Sequence, residues 1–384
     1  MPTEDDIQRL RLIRTEGVGP VTWRRLVDRY GTAAHALAAL PGLARAGGKA
    51  SAPVIPSLSD IRREFEQTAA LGGRLLFLGQ PGYPPLLAQL DDAPPVIAVL
   101  GDGDLLARPA VAVVGGRNAS ASGLRMTETL AEDLAEHVTI VSGLARGIDG
   151  IAHVAAMRTG RTVAAIAGGL DVAYPPENAN LQRLIGERGA VITEAVPGTE
   201  PQARHFPRRN RLIAGLALGV VVVEAARRSG SLITARIAQE TGREVFAVPG
   251  SPLDPRARGS NDLLREGAVL TETAGDVLEN LPGFGGLFPA RTEGARTDRS
   301  GEIAESDNRD LGDIDLMNDK EIMIRARSEV TDLLGPTPTA VDDLVRRCQL
   351  SASAVMAVLL ELELAGRVET LPGNRFVLLT DAGT

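Results

Sequence analysis

The chain has 384 residues, a formal net charge of −8, and 44% hydrophobic but only 3% aromatic residues. This length predicts two or three domains with ample material for a core. The net acidity is unlike that of a uniformly basic nucleic-acid coat, so any site for a polyanion must be local. The single cysteine, Cys348, excludes an internal disulfide and a multi-cysteine zinc or iron–sulfur site.

Lysine is nearly absent, since only Lys49 and Lys320 occur among 41 basic residues. A P-loop or a Schiff-base lysine between residues 50 and 319 is therefore excluded. The first residues are acidic where a signal peptide needs basic and then apolar ones, and the apolar run Leu212–Val223 is too short to span a bilayer. We expect a soluble, cytoplasmic protein with no membrane partner.

The amino-terminal residues 5–45 are predicted to form short helices. Two of them flank a Gly-Val-Gly hairpin at 17–19, and Pro20 lies in the first turn of the second helix. This pattern resembles a helix-hairpin-helix, whose hairpin amides can contact a DNA phosphate, but a plain αα-hairpin explains it equally well. A Gly/Pro/Ser linker at 46–60 and a further helix at 61–72 follow.

From Ala110 to about Asn280, apolar strand-like runs alternate with amphipathic helical stretches such as Ser122–Glu136 and Thr234–Thr241. The strand-like runs are Val111–Val114, Val138–Val141, Val163–Ile166, Val191–Ile192, Gly219–Val223 and Val245–Val248. Runs that are apolar on both faces and alternate with helices predict a parallel sheet covered on both sides. Such a sheet binds ligands at the carboxyl ends of its strands.

The carboxyl-terminal part begins with polar, charged and nearly aperiodic residues 285–320, which predict a flexible linker. Residues 322–378 then read as three helices and a hairpin turning at Pro372-Gly373-Asn374, the layout of a winged helix. The third helix, Ser351–Ala365, has no Lys or Arg and carries two glutamates. Because major-groove binding needs basic and amide side chains, we favour a protein-contact or purely structural role for this domain.

Glycine-rich loops follow the predicted core strands. They comprise residues 115–118, 142–149, 168–171, 229–231 and 249–251. Glycine lets the backbone approach a ligand closely, so five such loops on one sheet edge form a concave wall of N–H donors. The loops lack the G-x-G-x-x-G spacing, which leaves a dinucleotide-binding enzyme without support.

An arginine cluster stands out: four arginines lie within the eight residues 204–211. Arginine binds phosphate or carboxylate with a bidentate fork, and the nearby Ser-Gly-Ser loop at 229–231 opens a helix whose first amides attract anions. The stretch therefore predicts a polyanion site. Phe206 is the one aromatic residue in the cluster, and it is either a base-stacking residue or a core anchor under the loop.

Catalytic interpretations have little support in the sequence, which contains no G-x-S-x-G nucleophile elbow. Asp149 and His153 lie four residues apart and could form an acid–base dyad, but a helix-terminal Asp beside a structural His is the reading we favour. The four histidines have no metal-ligand spacing. Glu224 is expected to hold an arginine or a loop amide, and Thr234 to cap a helix or face the groove.

Together these motifs resemble the DprA (Smf) family of DNA-processing proteins over about residues 80–280. The matching segments are Val113–Arg117, Ser142–Asp149 with His153, Tyr174-Pro175, Phe206–Arg211, Glu224, Ser229–Thr234 and Pro249-Gly250. Tyr83-Pro84 and Pro94-Pro95 resemble the family's segment before the first strand. Gly116 departs from the family, which usually has Thr or Ser before the arginine, so a possible hydroxyl contact is lost.

The resemblance implies an α/β fold, with an extended Rossmann-like parallel-sheet core, a small all-α N-terminal domain and a C-terminal winged-helix domain. The expected boundaries are 1–75, 76–284 for the core, 285–320 for the linker, and 321–384. It further implies a homodimer that binds single-stranded DNA, and double-stranded DNA more weakly, and loads the RecA recombinase during natural transformation. No catalytic residue, metal or cofactor is expected.

The residues expected to bind DNA are the strand-end loops and the arginine cluster. They are Gly115, Gly116, Arg117, Ser142, Gly143, Arg146, Arg208, Arg209, Asn210, Arg211, Ser229, Gly230, Ser231, Thr234, Pro249 and Gly250. With so few aromatic residues, binding should be directed mostly at the DNA backbone. The alternative function is a nucleotide-processing or nucleotide-binding Rossmann-like enzyme that uses the same strand-end pocket.

Overall fold

A computed structural model describes residues 2–48, 52–284, 338–348, 350–371 and 375–379, together with 327, 330, 331, 333 and 334. The chain forms two compact units. Unit 1 contains Met1–Ile13 and Ser57–Ala290, and unit 2 contains Arg14–Pro56 and Arg291–Thr384. The helices of the expected domain 1–75 are thus divided between the units, and the domain boundaries drawn from the sequence stay a prediction.

Unit 1 contains ten α-helices in its described part, and at least three of them begin at a side-chain cap. Its helices are α1 (Glu4–Ile13), α4 (Leu58–Ala70), α5 (Pro85–Ala88), α6 (Ala121–Ala135), α7 (Ile148–Ala156), α8 (Ala179–Arg188), α9 (His205–Leu216), α10 (Ser231–Glu240), α11 (Arg258–Arg265) and α12 (Ala274–Leu278). Ser57 and Asp60 form a capping box at the start of α4, and Ser120 caps α6 by accepting the Gly123 amide.

In the described part of unit 1, nine strands form one sheet in the order β1-β2-β6-β5-β4-β3-β7-β8-β9. They are β1 (Gly73–Phe77), β2 (Val96–Gly101), β3 (Ala110–Val114), β4 (Thr139–Ser142), β5 (Thr162–Ala165), β6 (Ala190–Thr193), β7 (Gly219–Val222), β8 (Glu244–Ala247) and β9 (Val269–Leu270). β1 and β2 are antiparallel to their neighbours, and the pairs from β6 to β9 are parallel. The α/β fold class is confirmed, and all six strands predicted from the sequence exist.

The core lies on both faces of the sheet because residues alternate along each strand. On β3, Ala112 and Val114 belong to the cluster that contains Leu212 of α9. Val111 and Val113 face the other way, into the cluster that contains Leu130 of α6. These strands are apolar at every position because both faces are covered.

The strand order reverses between β3 and β7. From β3 the chain proceeds to β4, β5 and β6 on one side, and it then returns to β7 and β8 on the other. The helices that follow β3 and β7 pack on opposite faces of the sheet, α6 in the cluster of Leu130 and α10 in the cluster of Leu212. A crevice lies at the carboxyl ends of these strands, where open α/β sheets bind ligands.

Unit 2 combines a helical hairpin with a small helix-and-sheet element. The hairpin consists of α2 (Pro20–Tyr30) and α3 (Ala33–Ala46), with Pro20 at the first turn of α2. The second element consists of α13 (Val341–Cys348), α14 (Ala352–Leu364) and the three-stranded sheet of β10 (Thr339–Ala340), β12 (Arg375–Leu378) and β11 (Val368–Leu371). The winged-helix layout is confirmed, while the predicted hairpin turn at 372–374 and the linker 285–320 lie outside the described residues.

Candidate nucleic-acid interface

The crevice at the switch point contains two adjoining cavities of about 460 and 640 Å³. Five residues line both of them: Arg117, Ala145, Tyr174, Phe206 and Arg209. Because the two cavities share these residues, we describe them together as the switch-point groove. It runs from the β5 loop at Gly168 to the start of α10 at Ser231.

The centre of the groove is Phe206, flanked by two arginines. The guanidinium carbons of Arg117 and Arg209 lie 5.3 and 5.8 Å from the centre of the Phe206 ring, within cation–π range. On a third side the Tyr174 ring is 5.6 Å away and tilted by 58°. Because Phe206 is half-buried and lines both cavities, it is a wall of the groove and not an anchor hidden under the loop.

Arg209 is the more enclosed of these two arginines, with a side chain only 7% exposed. Its Nη1 lies 4.0 Å from Oδ2 of Asp149, which is equally buried. Burial lowers the pKa of the Arg209 guanidinium, an effect that the Asp149 carboxylate opposes and the Arg117 cation reinforces. Burial likewise raises the pKa of the Asp149 carboxyl above its usual range, and Arg209 opposes that rise.

Gly143 makes room for Arg209. A Cβ at Gly143 would lie 1.6 Å from Nη1 and 2.4 Å from Cζ of Arg209, so any side chain there would displace the guanidinium. Gly147 has a φ of +75°, and a Cβ there would lie 2.4 Å from the carbonyl oxygen of Gly116. Gly143 is required because the Arg209 side chain occupies the space of a Cβ, and Gly147 because the backbone of the neighbouring loop does.

The loop after β3 is fixed by the loop after β7. The Gly116 amide donates to the Glu224 carbonyl at 2.6 Å, and the Ser120 amide donates to the Glu224 carboxylate at 2.8 Å. The Ser120 hydroxyl donates to the same carboxylate. Glu224 therefore holds a loop amide, one of the two roles expected for it, and keeps the Arg117 loop in place.

The far end of the groove is the start of α10. Ser229, Gly230, Ser231 and Thr234 line the larger cavity, and the Asn210 side chain binds the Gly230 carbonyl at 3.2 Å. Gly230 precedes the helix without a side-chain cap. The positive end of the helix dipole therefore points toward the groove, where it favours an anion.

Ten of the residues expected to bind DNA line the groove. They are Gly115, Arg117, Gly143, Arg146, Arg209, Asn210, Ser229, Gly230, Ser231 and Thr234. Arg146 is exposed and forms an ion pair with Glu177. The structure thus brings most of the predicted residues together, while DNA binding by each of them stays a prediction.

Arg211 does not line either cavity, and DNA binding by it stays a prediction. Its guanidinium binds the Glu194 carboxylate at 2.7 and 2.8 Å and the Asp92 carboxylate at 2.9 Å. Although burial works in the opposite direction, these two carboxylates raise the pKa of Arg211. Residues two apart on a helix point about 200° apart, so α9 directs Arg209 and Arg211 to opposite sides.

Five further predicted residues also lie away from the two cavities. The buried Ser142 hydroxyl donates to the Val113 carbonyl at 2.6 Å, and Gly116 is bound to Glu224 as described. Gly250 exchanges two hydrogen bonds with the Asn261 side chain, at 3.1 and 2.8 Å. Pro249 and Arg208 are exposed outside the groove. Polar groups of Ser142, Gly116 and Gly250 are bound within the protein, and DNA binding by these five residues stays a prediction.

His153 is a structural residue. It is completely buried, and its Nδ1 lies 2.7 Å from Oγ1 of Thr162. Burial lowers its pKa to about 3, with a further contribution from Arg209. Asp149 instead faces Arg209 and accepts the Ala145 amide at 3.4 Å, so the acid–base dyad is not formed.

Sequence reasoning did not include Tyr174, Asn118 or Asp149 among the DNA-binding residues, although all three line the groove. Tyr174 appeared only as part of a Tyr-Pro motif. An aromatic residue beside prolines on a strand-end loop was the available signal for it. Among the described residues, no group of three His, Cys, Asp or Glu side chains could hold a metal ion. Nor does any helix within them have the length and apolarity needed to cross a membrane.

Comparison with known proteins decides the family. Residues 74–282 match the family described as DNA recombination-mediator protein A, residues 3–67 match its N-terminal HHH domain, and residues 325–374 match its winged-helix domain. The chain belongs to the DprA (Smf) family of DNA recombination mediators.

Individual relatives agree with this assignment. Protein Smf of Synechocystis is 34% identical over 391 residues, which cover 94% of this chain and 96% of the relative. DNA processing protein DprA of Streptococcus pneumoniae is 49% identical over 197 residues, covering 51% of this chain and 70% of the relative. The X-ray structure of DprA from Streptococcus pneumoniae matches with a TM-score of 0.63 and 36% identity, covering 73% of this chain and 98% of that one.

Proposed function

We propose that this chain binds single-stranded DNA in the switch-point groove and hands the strand to a recombinase, without catalysing a reaction. The observation that carries this proposal is the group formed by Phe206, Arg117 and Arg209, with Tyr174 beside it. Cations and an aromatic wall lie within one nucleotide's reach of each other. This is the combination that holds a phosphate and a base together.

Single strands fit this groove better than duplexes. Stacking on Phe206 or Tyr174 requires an unpaired base whose face is free, and cavities of about 460 and 640 Å³ have room for individual nucleotides. A duplex offers only its phosphates to the arginines and to the start of α10. We therefore expect weaker binding of double-stranded DNA.

The remaining parts of the proposal are the homodimer, the RecA partner, the role in natural transformation and the cytoplasmic location. Their support is the family to which the chain belongs and not any residue of the groove. Static light scattering measures the dimer. RecA filament formation on DNA already coated with this protein measures loading, and an unchanged filament rate would contradict it.

The groove is tested with a fluorescent oligo-dT and Arg117→Ala. Fluorescence anisotropy should show affinity reduced about tenfold, since a charged hydrogen bond contributes about 1.5–3 kcal/mol. The slope of log affinity against log salt should fall by roughly 0.7 for each lost phosphate contact.

Arg125→Ala is the matched control, because Arg125 is exposed on α6 and lies outside both cavities. Equal affinity of both variants and the parent for oligo-dT would contradict the proposal that DNA binds in the switch-point groove. Thermal unfolding with added mononucleotides, together with an assay of their turnover, addresses the alternative function. A mononucleotide that stabilises the protein against heat and is turned over would favour the nucleotide-processing enzyme.

A further inference from the structure

The groove holds a buried carboxylate beside its most buried cation. Asp149 follows the loop 142–147 as the second residue of α7, and it lines the larger cavity. Its side chain and that of Arg209 are each 7% exposed. A carboxylate in a groove that binds phosphates repels the ligand. Any favourable effect of Asp149 on DNA binding has to outweigh this repulsion.

Three contacts point to such a favourable effect. Asp149 accepts the Ala145 amide at 3.4 Å, which fixes the carboxylate on its own loop. From there Oδ2 lies 4.0 Å from Nη1 of Arg209. On another side the Arg209 guanidinium fills the space that a Cβ at Gly143 would need. The cation is thus confined by one attractive group and by one residue that lacks a side chain.

Arg117 approaches the same Phe206 ring, and the two cations repel each other. Without the contacts described above, this repulsion would favour movement of the Arg209 guanidinium away from the ring. The Nε of Arg209 is buried and has no hydrogen-bond partner among the described residues. This nitrogen is closed to a ligand, so contact with a phosphate falls to the rest of the guanidinium, which lines both cavities. A flexible arginine would lose conformational entropy when it binds a phosphate, and that loss would weaken binding. An arginine that is already confined avoids most of this cost.

We propose that Asp149 is a positioning residue for DNA binding. It holds the Arg209 guanidinium at the junction of the two cavities, so that this guanidinium is already oriented when a phosphate binds. This inference rests on the proposed function. It assigns to the carboxylate a favourable effect on anion binding, opposite in sign to its direct electrostatic effect.

The sign of the effect gives the test. Asp149→Asn removes one negative charge from the groove, so simple electrostatics predicts tighter binding of oligo-dT and an unchanged or steeper salt slope. Positioning predicts binding weakened by about fivefold or more. It also predicts a salt slope reduced by roughly 0.7, because one phosphate contact is lost although the net positive charge rises.

A double-mutant cycle separates positioning from other roles. If Asp149 acts through Arg209, then Asp149→Asn changes affinity by less than about twofold in the Arg209→Ala background. Glu177→Gln is the matched control, since the exposed Glu177 pairs with Arg146 at the rim of the smaller cavity. This control should bind as tightly as the parent or more tightly.

Gly143→Ala serves as a second variant if Asp149→Asn does not fold, as judged by thermal unfolding. It should weaken binding in the parent and have little further effect beside Arg209→Ala. Tighter or unchanged binding by Asp149→Asn, with weaker binding by Arg209→Ala, would overturn the positioning role and leave the proposed function intact. Unchanged binding of oligo-dT by Arg209→Ala and by Arg117→Ala would instead contradict the proposed function, namely that the groove binds single-stranded DNA.

Discussion

The switch-point groove in unit 1 and the helix α14 in unit 2 use glycine and arginine in opposite ways. In the groove, Gly143 leaves space for the Arg209 guanidinium beside a cavity. In unit 2, Gly47 follows α3 and lets it approach α14 so closely that a Cβ would lie 2.2 Å from the Glu361 carbonyl. Glycine therefore makes room for an arginine beside a cavity in unit 1, whereas in unit 2 it allows close packing against a helix.

The arginines near α14 are engaged by its carboxylates. Arg25 of α2 lies 3.4 Å from Glu363 and its guanidinium stands 5.2 Å from the centre of the Phe376 ring. Arg327 binds Glu361 at 2.6 Å. The exposed first turn of α14 presents Ala352 and Ser353, which have neither a basic nor an amide side chain. A recognition helix reads bases mainly with its first turn, and this turn offers no cation or amide for a bidentate base contact.

The comparison shows that the location of arginines in the sequence does not identify a DNA site. The proposed distinction is whether the guanidinium lines the groove: Arg209 lines both cavities although Asp149 lies 4.0 Å away, whereas Arg211 is bound by two carboxylates outside them. The following predictions test this distinction, starting with the largest expected effect.

Arg211→Met should destabilise the protein without weakening DNA binding. It leaves the Asp92 and Glu194 carboxylates without their cation. Removing one partner of a buried pair costs about 3–5 kcal/mol, and the half-exposed Asp92 places this case near the lower value. Urea unfolding measures the loss, and oligo-dT anisotropy at low urea measures binding.

The control for Arg211 is Arg183→Met, which removes an exposed ion pair with Glu187 and should cost less than about 1 kcal/mol. A stable Arg211→Met protein that binds DNA as poorly as Arg209→Ala would restore Arg211 to the list of phosphate ligands.

Gly47→Ala should destabilise unit 2 by about 1–3 kcal/mol, because a methyl group cannot fit against the Glu361 carbonyl without a shift of backbone. Thermal unfolding measures this cost. Gly42→Ala, inside the preceding helix α3, is the control, since nothing lies within 4 Å of the new Cβ and alanine favours helix. The affinity for oligo-dT should change less than about twofold, and a larger change would give unit 2 a part in single-strand binding.

His153→Asn should make the protein less sensitive to acid. The pKa of His153 is about 3 in the folded protein and 6.5 when unperturbed, so the unfolded state binds more protons between these values. Stability is therefore lost as the pH falls below about 6.5, by up to about 1.4 kcal/mol per pH unit.

The amide of Asn can retain the contact with Thr162 and does not titrate. Unfolding curves between pH 7 and pH 5 should therefore be flatter for His153→Asn than for the parent. His137→Asn, at an exposed position, is the control. Equal slopes for all three proteins would mean that His153 is not buried in its neutral form.

Much of the groove followed from the sequence alone. Alternating strands and helices predicted the parallel sheet, and glycine-rich loops after the strands predicted an anion site at their carboxyl ends, where Arg117, Arg209 and Ser229–Ser231 now lie. These are local signals, since strand periodicity and loop composition are set within a few residues. The sequence reading missed β1 and β2, because β2 is held by antiparallel pairing to β6, about ninety residues away, and β1 pairs with β2 alone among the described strands.

Only the tertiary structure decided which arginine faces the groove. Arg209 and Arg211 lie two residues apart and read alike in the sequence, but α9 turns them to opposite sides. Asp92 and Glu194 then bind Arg211, while Asp149 and Gly143 keep Arg209 beside Phe206. These partners come from distant parts of the chain, so the contacts that distinguish the two arginines form only when the sheet brings them together.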